Sequence, residues 1–285
     1  MLSPADSVAL IDFDQAVETA RVKAWLANFM KLTFGMKKPY GAFPTVAKQL
    51  VLDNSPEPVL ERLSRVKSRL KYSLGTNRNP RLPQTAPHKP HRLLEAWTIA
   101  RKSDASSPGV PVCYYEIVED GYRFPGERPW ADHWAMLRKI TSYRDKRVLE
   151  LGCNLSLFSS FLLKEEGVKD AMCVDADSRI LAAAQLVSDA YEVAPLYKRV
   201  NFDSARNWER ELIAFEPDIV TALSVLNWVQ DKERFMRFLS NFNQVIFEGH
   251  DPFEIEKARF RKCGFSEIKE VATSERARPL ILCNR

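Results

Sequence analysis

The sequence contains no C-x-x-C pair, no H-x-x-x-H or other Cys/His cluster, no G-x-S-x-G elbow and no G-K-[ST] tripeptide. These absences argue against a structural zinc site, a hydrolase-type serine nucleophile and a P-loop. The five cysteines, at 113, 153, 173, 263 and 283, are odd in number and widely separated. That pattern suits a reducing compartment better than a disulfide framework, and no metal is expected. No apolar run approaches the roughly 18 residues that span a bilayer. The opening residues MLSPADSVALIDFDQ lack the basic-then-apolar layout of a secretion signal. A cytoplasmic location is the expectation, with peripheral contact at the inner face of a membrane as its variant.

What remains is an ordinary globular composition. The chain has 285 residues, 45% hydrophobic and 28% charged, enough for one large α/β domain plus an extra segment. The formal charge of +5 is unevenly spread. Residues 21–102 carry 17 Lys/Arg against four acids, and the rest of the chain is net acidic. Within the basic block, EPVLERLSRVKSRLKYSL places Val59, Leu60, Leu63, Val66, Leu70 and Leu74 at helical spacing. GTNRNPRLPQTAPHKPH then reads as an extended linker, and HRLLEAWTIARK as a short helix. The expected organisation is a helical basic N-terminal region, residues 1–102, followed by a domain over 111–285 with its core at 147–285.

From residue 111 the pattern is strand and helix in alternation. VCYYEIVEDGYRF predicts two strands about a turn at Asp120–Gly121. KRVLELGC, DAMCVDAD, LYKRVNFD, DIVTALSVLN and QVIFEGHD predict strands separated by helices. SEIKEVAT and RPLILCN follow with only a polar turn between them. This predicts a doubly wound, mostly parallel seven-stranded sheet with a terminal antiparallel hairpin.

In such a sheet a ligand lies beyond the carboxyl ends of the strands, so the turn Glu150-Leu-Gly152-Cys-Asn154-Leu-Ser156 is the informative one. Gly152 allows a tight turn, and Asn154 adopts a left-handed conformation more readily than most residues. Asp175, ending the second strand, is placed to accept hydrogen bonds from both hydroxyls of a ribose. A dinucleotide fingerprint requires G-x-G-x-x-G, of which only the first glycine is present. Glu150 disfavours a pyrophosphate and favours a ligand carrying an ammonium and a sulfonium, such as S-adenosylmethionine (SAM).

On these motifs residues 147–285 resemble a class I SAM-dependent methyltransferase. VLELGC resembles that family's first motif, CVDAD its ribose-binding acid, NFD its adenine-side acid, and DIVTALSVLNWV its fourth-strand motif. The resemblance implies that Gly152 and Glu150 line the methionine end of SAM, Asp175 the ribose and Asp203 the adenine. Asn154 and Ser156 stand where the family carries its second and third glycines, so a side chain at 156 is set close to the cofactor. Asp203-Ser204 also reads as a cap for the next helix.

Two further groups bear on the acceptor. Gly121 to Trp134 is similar to the segment preceding the fold in bacterial wobble-uridine tRNA methyltransferases. The likeness implies that Arg128 or Trp130 closes over the cofactor; the alternative is that Trp130 and Trp134, four apart, pack one helix on the sheet. In Phe247-Glu248-Gly249-His250-Asp251, His250 is a candidate general base for an acceptor hydroxyl. Glu248 is a second candidate, or a buried structural acid. Asp-Pro-Phe-Glu at 251–254 reads as a helix cap followed by proline at the first helical position.

The activity so implied is methyl transfer from SAM to oxygen of a saccharide, glycan or other polar hydroxyl compound. The basic block admits a solvated helix face, an RNA partner, which would make the chain an RNA methyltransferase, or contact with an anionic membrane. A non-catalytic Rossmann-like binding module is the alternative of another class.

Overall fold

The computed structural model describes Leu82 and residues 87–102, 113–204 and 206–285. They belong to one compact unit, Arg78–Arg285. Most of the basic block, and the helices expected before residue 82, lie outside the described residues.

The strands β4 (Arg147–Leu151), β5 (Asp170–Asp175), β6 (Leu196–Arg199), β7 (Ile219–Leu223) and β8 (Gln244–Glu248) alternate with helices. With β9 (Glu267–Thr273) and β10 (Pro279–Asn284) they form one sheet in the order β6-β5-β4-β7-β8-β10-β9. β4 to β8 are parallel, and β10 runs antiparallel to both β8 and β9. This is the seven-stranded, doubly wound sheet with a terminal hairpin that the sequence predicts. The order reverses beside β4, so a crevice opens at its carboxyl end, where β5 and β7 diverge.

The central strands are apolar on both faces because helices cover both. Val148, Ile219, Ile246 and Leu280 turn to one layer; Leu149, Leu151, Val220, Ala222 and Phe247 turn to the other. On the first side lie α1 (His88–Ala100), α2 (Trp130–Leu137), α3 (Leu157–Phe161) and α4 (Ser178–Tyr191). On the second lie α5 (Trp208–Ile213), α6 (Lys232–Leu239) and α7 (Phe253–Lys262). α3 continues as a π-helical turn, Leu162–Glu166, before Gly167 ends it at φ +67°.

The unit that holds the sheet begins before the boundary expected at residue 111, because α1 is part of its helical layer. Its buried Leu93, Ala96, Trp97 and Ala100 pack along α4. Trp97 Nε1 donates to Pro125 O at 2.7 Å.

A second, three-stranded sheet precedes the main one: β1 (Cys113–Glu119), β2 (Tyr122–Phe124) and β3 (Gly126–Pro129), in the order β2-β1-β3. Asp120 and Gly121 both have positive φ, as the tight turn between β1 and β2 requires. β3 is not apparent in the sequence. It pairs parallel to β1, and Gly126 approaches so closely that a Cβ there would lie 2.0 Å from the Tyr115 carbonyl carbon.

The two sheets are joined through buried ion pairs, of Arg276 with Glu127 and of Arg128 with Glu248. Arg128 on β3 and Glu248 at the end of β8 have no exposed surface (0% each). Arg128 Nη1 and Nη2 donate to the two Glu248 oxygens at 2.9 and 2.7 Å. The guanidinium also donates to Tyr114 Oη, His133 Nδ1 and Glu275. Burial opposes ionisation of Glu248, but the Arg128 charge and hydrogen bonds outweigh it and hold the carboxyl at about 2. A group lowered in the folded state contributes stability above its unfolded value of 4.5, and loses that contribution as pH falls towards 2.

Arg128→Met is therefore expected to cost about 3–5 kcal/mol at pH 7, because it strands a buried carboxylate. Adding Glu248→Gln should recover most of the loss. Denaturant unfolding of both variants at pH 7 checks this, and a double variant no more stable than the single one would refute it.

Candidate functional site

The crevice at the end of β4 is formed by a turn of unusual backbone. Gly152, Asn154 and Ser156 have φ of +69°, +47° and +50°, so every second residue is left-handed. Gly152 and Cys153 both donate to Val174 O, at 2.8 and 2.9 Å, which hooks the turn onto β5. Ser156 N then returns to Cys153 O at 2.8 Å, and α3 begins at Leu157. Gly152 cannot be replaced freely, since a Cβ there would meet Val225 Cγ2 at 2.1 Å.

Ser156 tolerates its conformation because its hydroxyl is held from behind. Its Oγ lies 2.9 Å from Tyr197 Oη and 3.3 Å from Ala184 O, with Ser188 Oγ at 3.5 Å. These partners belong to α4 and β6, so the side chain is drawn into the helical layer and away from the turn's open side. Ser156 is itself buried, with its hydroxyl committed to those partners.

Asp175 closes the turn. Its Oδ2 accepts from Asn154 N and its Oδ1 from Asp177 N, each at 3.1 Å. Burial raises its pKa, with the backbone N–H groups of Asp177 and Asn154 opposing. Asn154 Oδ1 is buried without a partner.

Glu150 sits beneath the same turn. Its Oε2 accepts from Ser159 Oγ at 2.6 Å and Ser159 N at 3.2 Å, with Cys173 Sγ at 3.9 Å. The carboxylate thus ties the first turn of α3 to β4. Burial pushes its pKa up to about 7, against the pull of the Ser159 bonds.

Asp203 does not cap α5, whose N-cap is Asn207. Its Oδ1 accepts from Gln230 N at 2.9 Å and Asp231 N at 3.1 Å, gripping the far end of the loop that follows β7. Val225, at the near end of that loop, rests against Gly152. Gly152, Asn154, Asp175 and Asp203 are thereby linked around one crevice.

Arg128, Trp130 and Glu248 are placed differently from the expectation. Arg128 and Glu248 pair with each other and present no surface to a ligand. Trp130, 4% exposed, stacks on Trp134 at 6.0 Å and packs edge-on to Phe161. The two tryptophans fix α2 on the helical layer, and neither Arg128 nor Trp130 is a lid. The expected cap by Asp251 is also displaced: Asp251 pairs with Arg259 at 3.0 Å. No side chain caps α7, whose N-cap is Pro252; Glu256 Oε1 instead accepts from His250 N and Asp251 N, just ahead of the helix, at 3.2 Å each.

His250 is half-buried just beyond β8. Burial lowers its pKa to about 4, and the nearby carboxylates of Glu248 and Asp251 only partly offset this; Arg276 and Arg128 lower it further. The ring is neutral near pH 7, and its Nδ1 is buried without a partner.

Ser159, Ser188 and Tyr197, which hold Glu150 and Ser156, carry no motif and are not apparent from sequence. The same is true of Ser224, which donates to Glu248, and Arg278, whose Nη1 donates to Ser224 Oγ at 2.7 Å. Among the described residues no helix is long and apolar enough to cross a membrane.

No family model matches the chain, and no curated protein matches it in sequence. Solved structures do match. One is an S-adenosylmethionine-dependent methyltransferase from Mesorhizobium loti, at 15% identity over 53% of this chain and 94% of that one, with a TM-score of 0.40. Another is EvdMO1, at 15% identity over 60% of this chain and 43% of that one, with a TM-score of 0.47. The CurJ carbon methyltransferase is a third, at 12% identity over 52% of this chain and 50% of that one, with a TM-score of 0.38.

Glu150→Gln isolates the cost of the buried carboxyl. A folded pKa of about 7 against 4.5 unfolded means that the folded chain keeps a proton that the unfolded chain has released between those values. The stability cost is absent below pH 4.5 and complete above 7. The variant is expected to gain about 1–3 kcal/mol over the parent at pH 8 and nothing at pH 4.5. Thermal unfolding across that range reads the difference, and a gain independent of pH would contradict it.

Proposed function

We propose that the chain is a SAM-dependent methyltransferase acting on oxygen of a polar hydroxyl compound, with a saccharide or glycan as the acceptor class. The observation that carries this reading is the left-handed alternation at 152, 154 and 156, locked to Asp175 at the switch point of the sheet. That backbone leaves an open concave turn between β4 and α3, with the orphaned Asn154 Oδ1 beside it.

The residues fit an adenosyl sulfonium ligand. Asp175 already spends one lone pair of each oxygen on the backbone, and a carboxylate retains capacity for two ribose hydroxyls. Glu150 Oε1, which takes none of the hydrogen bonds made by Oε2, is the atom left to meet an ammonium. A neighbouring cation favours the ionised carboxylate, so binding expels a proton from Glu150 and weakens as pH falls below about 7. Asp203 and the loop it grips border the adenine side.

When bound, SAM supplies an electrophilic methyl group. The chain's task is then to align an acceptor oxygen in line with it, to exclude water and to receive the hydroxyl proton. His250 Nδ1 is the candidate for the last. At neutral pH its ring is in the accepting form, and a pKa of about 4 makes it a weak base suited to a proton that leaves late, after the new bond has begun to form. Glu248 is not proposed in this role, since Arg128 and Ser224 already take its oxygens. An RNA acceptor draws no support from the described residues: most of the basic block lies outside them, and the side chains of Arg128, Trp130 and Trp134 are buried.

Asp175→Ala is expected to weaken SAM binding by about 1.5–3 kcal/mol, roughly ten- to a hundredfold, through lost charge-assisted hydrogen bonds. Isothermal calorimetry at pH 8 measures it. No heat from the parent chain at high SAM would reject the methyltransferase reading in favour of a non-catalytic module.

His250→Ala should lower turnover by about a hundredfold while leaving SAM affinity intact. The parent's kcat should stay level from pH 8 to pH 5 and fall only towards 4. An equal kcat in the variant removes His250 from the mechanism.

A further inference from the structure

The described residues expose six large hydrophobic side chains. Val118, Leu196, Ile213, Ile255 and Val271 are aliphatic and sit singly on five different elements, as ordinary surface residues do. Trp228 is the one aromatic among them and is 63% exposed. It belongs to the loop after β7, which rests on Gly152 at one end and is gripped by Asp203 at the other.

That loop is rigid. Val225, Leu226 and Val229 are buried, Trp228 N donates to Val225 O at 2.9 Å, and Val229 N donates to Leu226 O at 3.3 Å. Within the 3₁₀ turn Leu226–Trp228, Leu226 is buried while Trp228 points outward to solvent. Asn227, also exposed, sits beside it, with its Oδ1 accepting from Lys232 Nζ at 3.3 Å.

We propose that Trp228 is the platform on which a sugar ring of a neutral glycan acceptor stacks, with the Asn227 amide meeting hydroxyls at the ring's edge. The proposal rests on the glycan methyltransferase reading and names the acceptor subsite. A pyranose has one face of C–H groups and a rim of hydroxyls, which suits an indole face beside an amide. The ionised groups along the loop, Asp203 and Asp231 against Lys232, are not a cationic cluster that would pair with a phosphate chain.

The test uses the full chain, fluorescently labelled, on an array of neutral and phosphorylated oligosaccharides, with poly(U) RNA in parallel. The parent should be retained on a subset of the neutral glycans. Trp228→Ala should lose roughly tenfold or more in affinity for them, with unchanged melting temperature and unchanged SAM affinity by calorimetry. Trp228→Phe should keep part of the binding. Retention of no glycan, preference for phosphorylated glycans or poly(U), or equal retention by Trp228→Ala would each overturn the platform. Glycan retention without any SAM heat would uphold the platform and remove the methyltransferase reading alone.

Discussion

The packing of the three-stranded sheet on the carboxyl end of β8 depends on the ion pair between Arg128 and Glu248. Glu248 ends a central strand and faces no water, so its charge has to be met from within the protein. The three-stranded sheet, folded against the carboxyl edge of the main sheet, brings the Arg128 guanidinium there. Arg128 then reaches four further elements of the structure through Tyr114, His133, Glu275 and Glu248 itself. Removal of either charge leaves the other buried, which is why such pairs couple distant segments more strongly than their net contribution suggests. The same pair sets the electrostatic surroundings of His250, two residues on, where the guanidinium works against a second positive charge.

The second constraint is the turn at Gly152. A glycine-poor version of this turn has to place side chains in left-handed conformations, each costing about 1 kcal/mol. The structure offsets that cost in two ways. Asn154 is among the residue types that adopt this region most readily, and its N–H is secured by Asp175. Ser156 is held by Tyr197 and by the carbonyl of Ala184, so β6 and α4 take part in shaping a turn from which they are distant in sequence. These compensating hydrogen bonds run to α4 and β6.

How much of this was legible depends on whether the cause is local. Alternating strands and helices, and the carboxylates at strand ends, leave period and position signals, so the sheet order's class and the placement of Asp175 could be read directly. β3 could not, because four residues containing Glu127, Arg128 and Pro129 have no strand signal; their pairing with β1 relies on a close approach at Gly126. Arg128 itself illustrates the limit. Its position before a tryptophan pair resembled a cofactor lid, but the partner that determines its role is 120 residues away in sequence. The cap before α7 failed for a related reason: Glu256, one turn inside the helix, reaches back to the backbone that Asp251 was expected to prepare.

Burial acts on Glu150 and His250 in opposite directions. A buried carboxyl is pushed towards neutrality, so Glu150 reaches about 7, whereas a buried imidazole is pushed towards neutrality from the other side and falls to about 4. Both are therefore uncharged over the interval between. A positively charged ligand changes only the first, because it supplies the cation that the Glu150 carboxylate lacks, while it would oppose protonation of His250. On the proposed reading, entry of SAM pairs an ionised Glu150 with the ligand's charge and leaves the His250 ring neutral and proton-accepting. Methyl transfer from a sulfonium to a hydroxyl, which consumes one positive charge and releases one proton, is compatible with that combination.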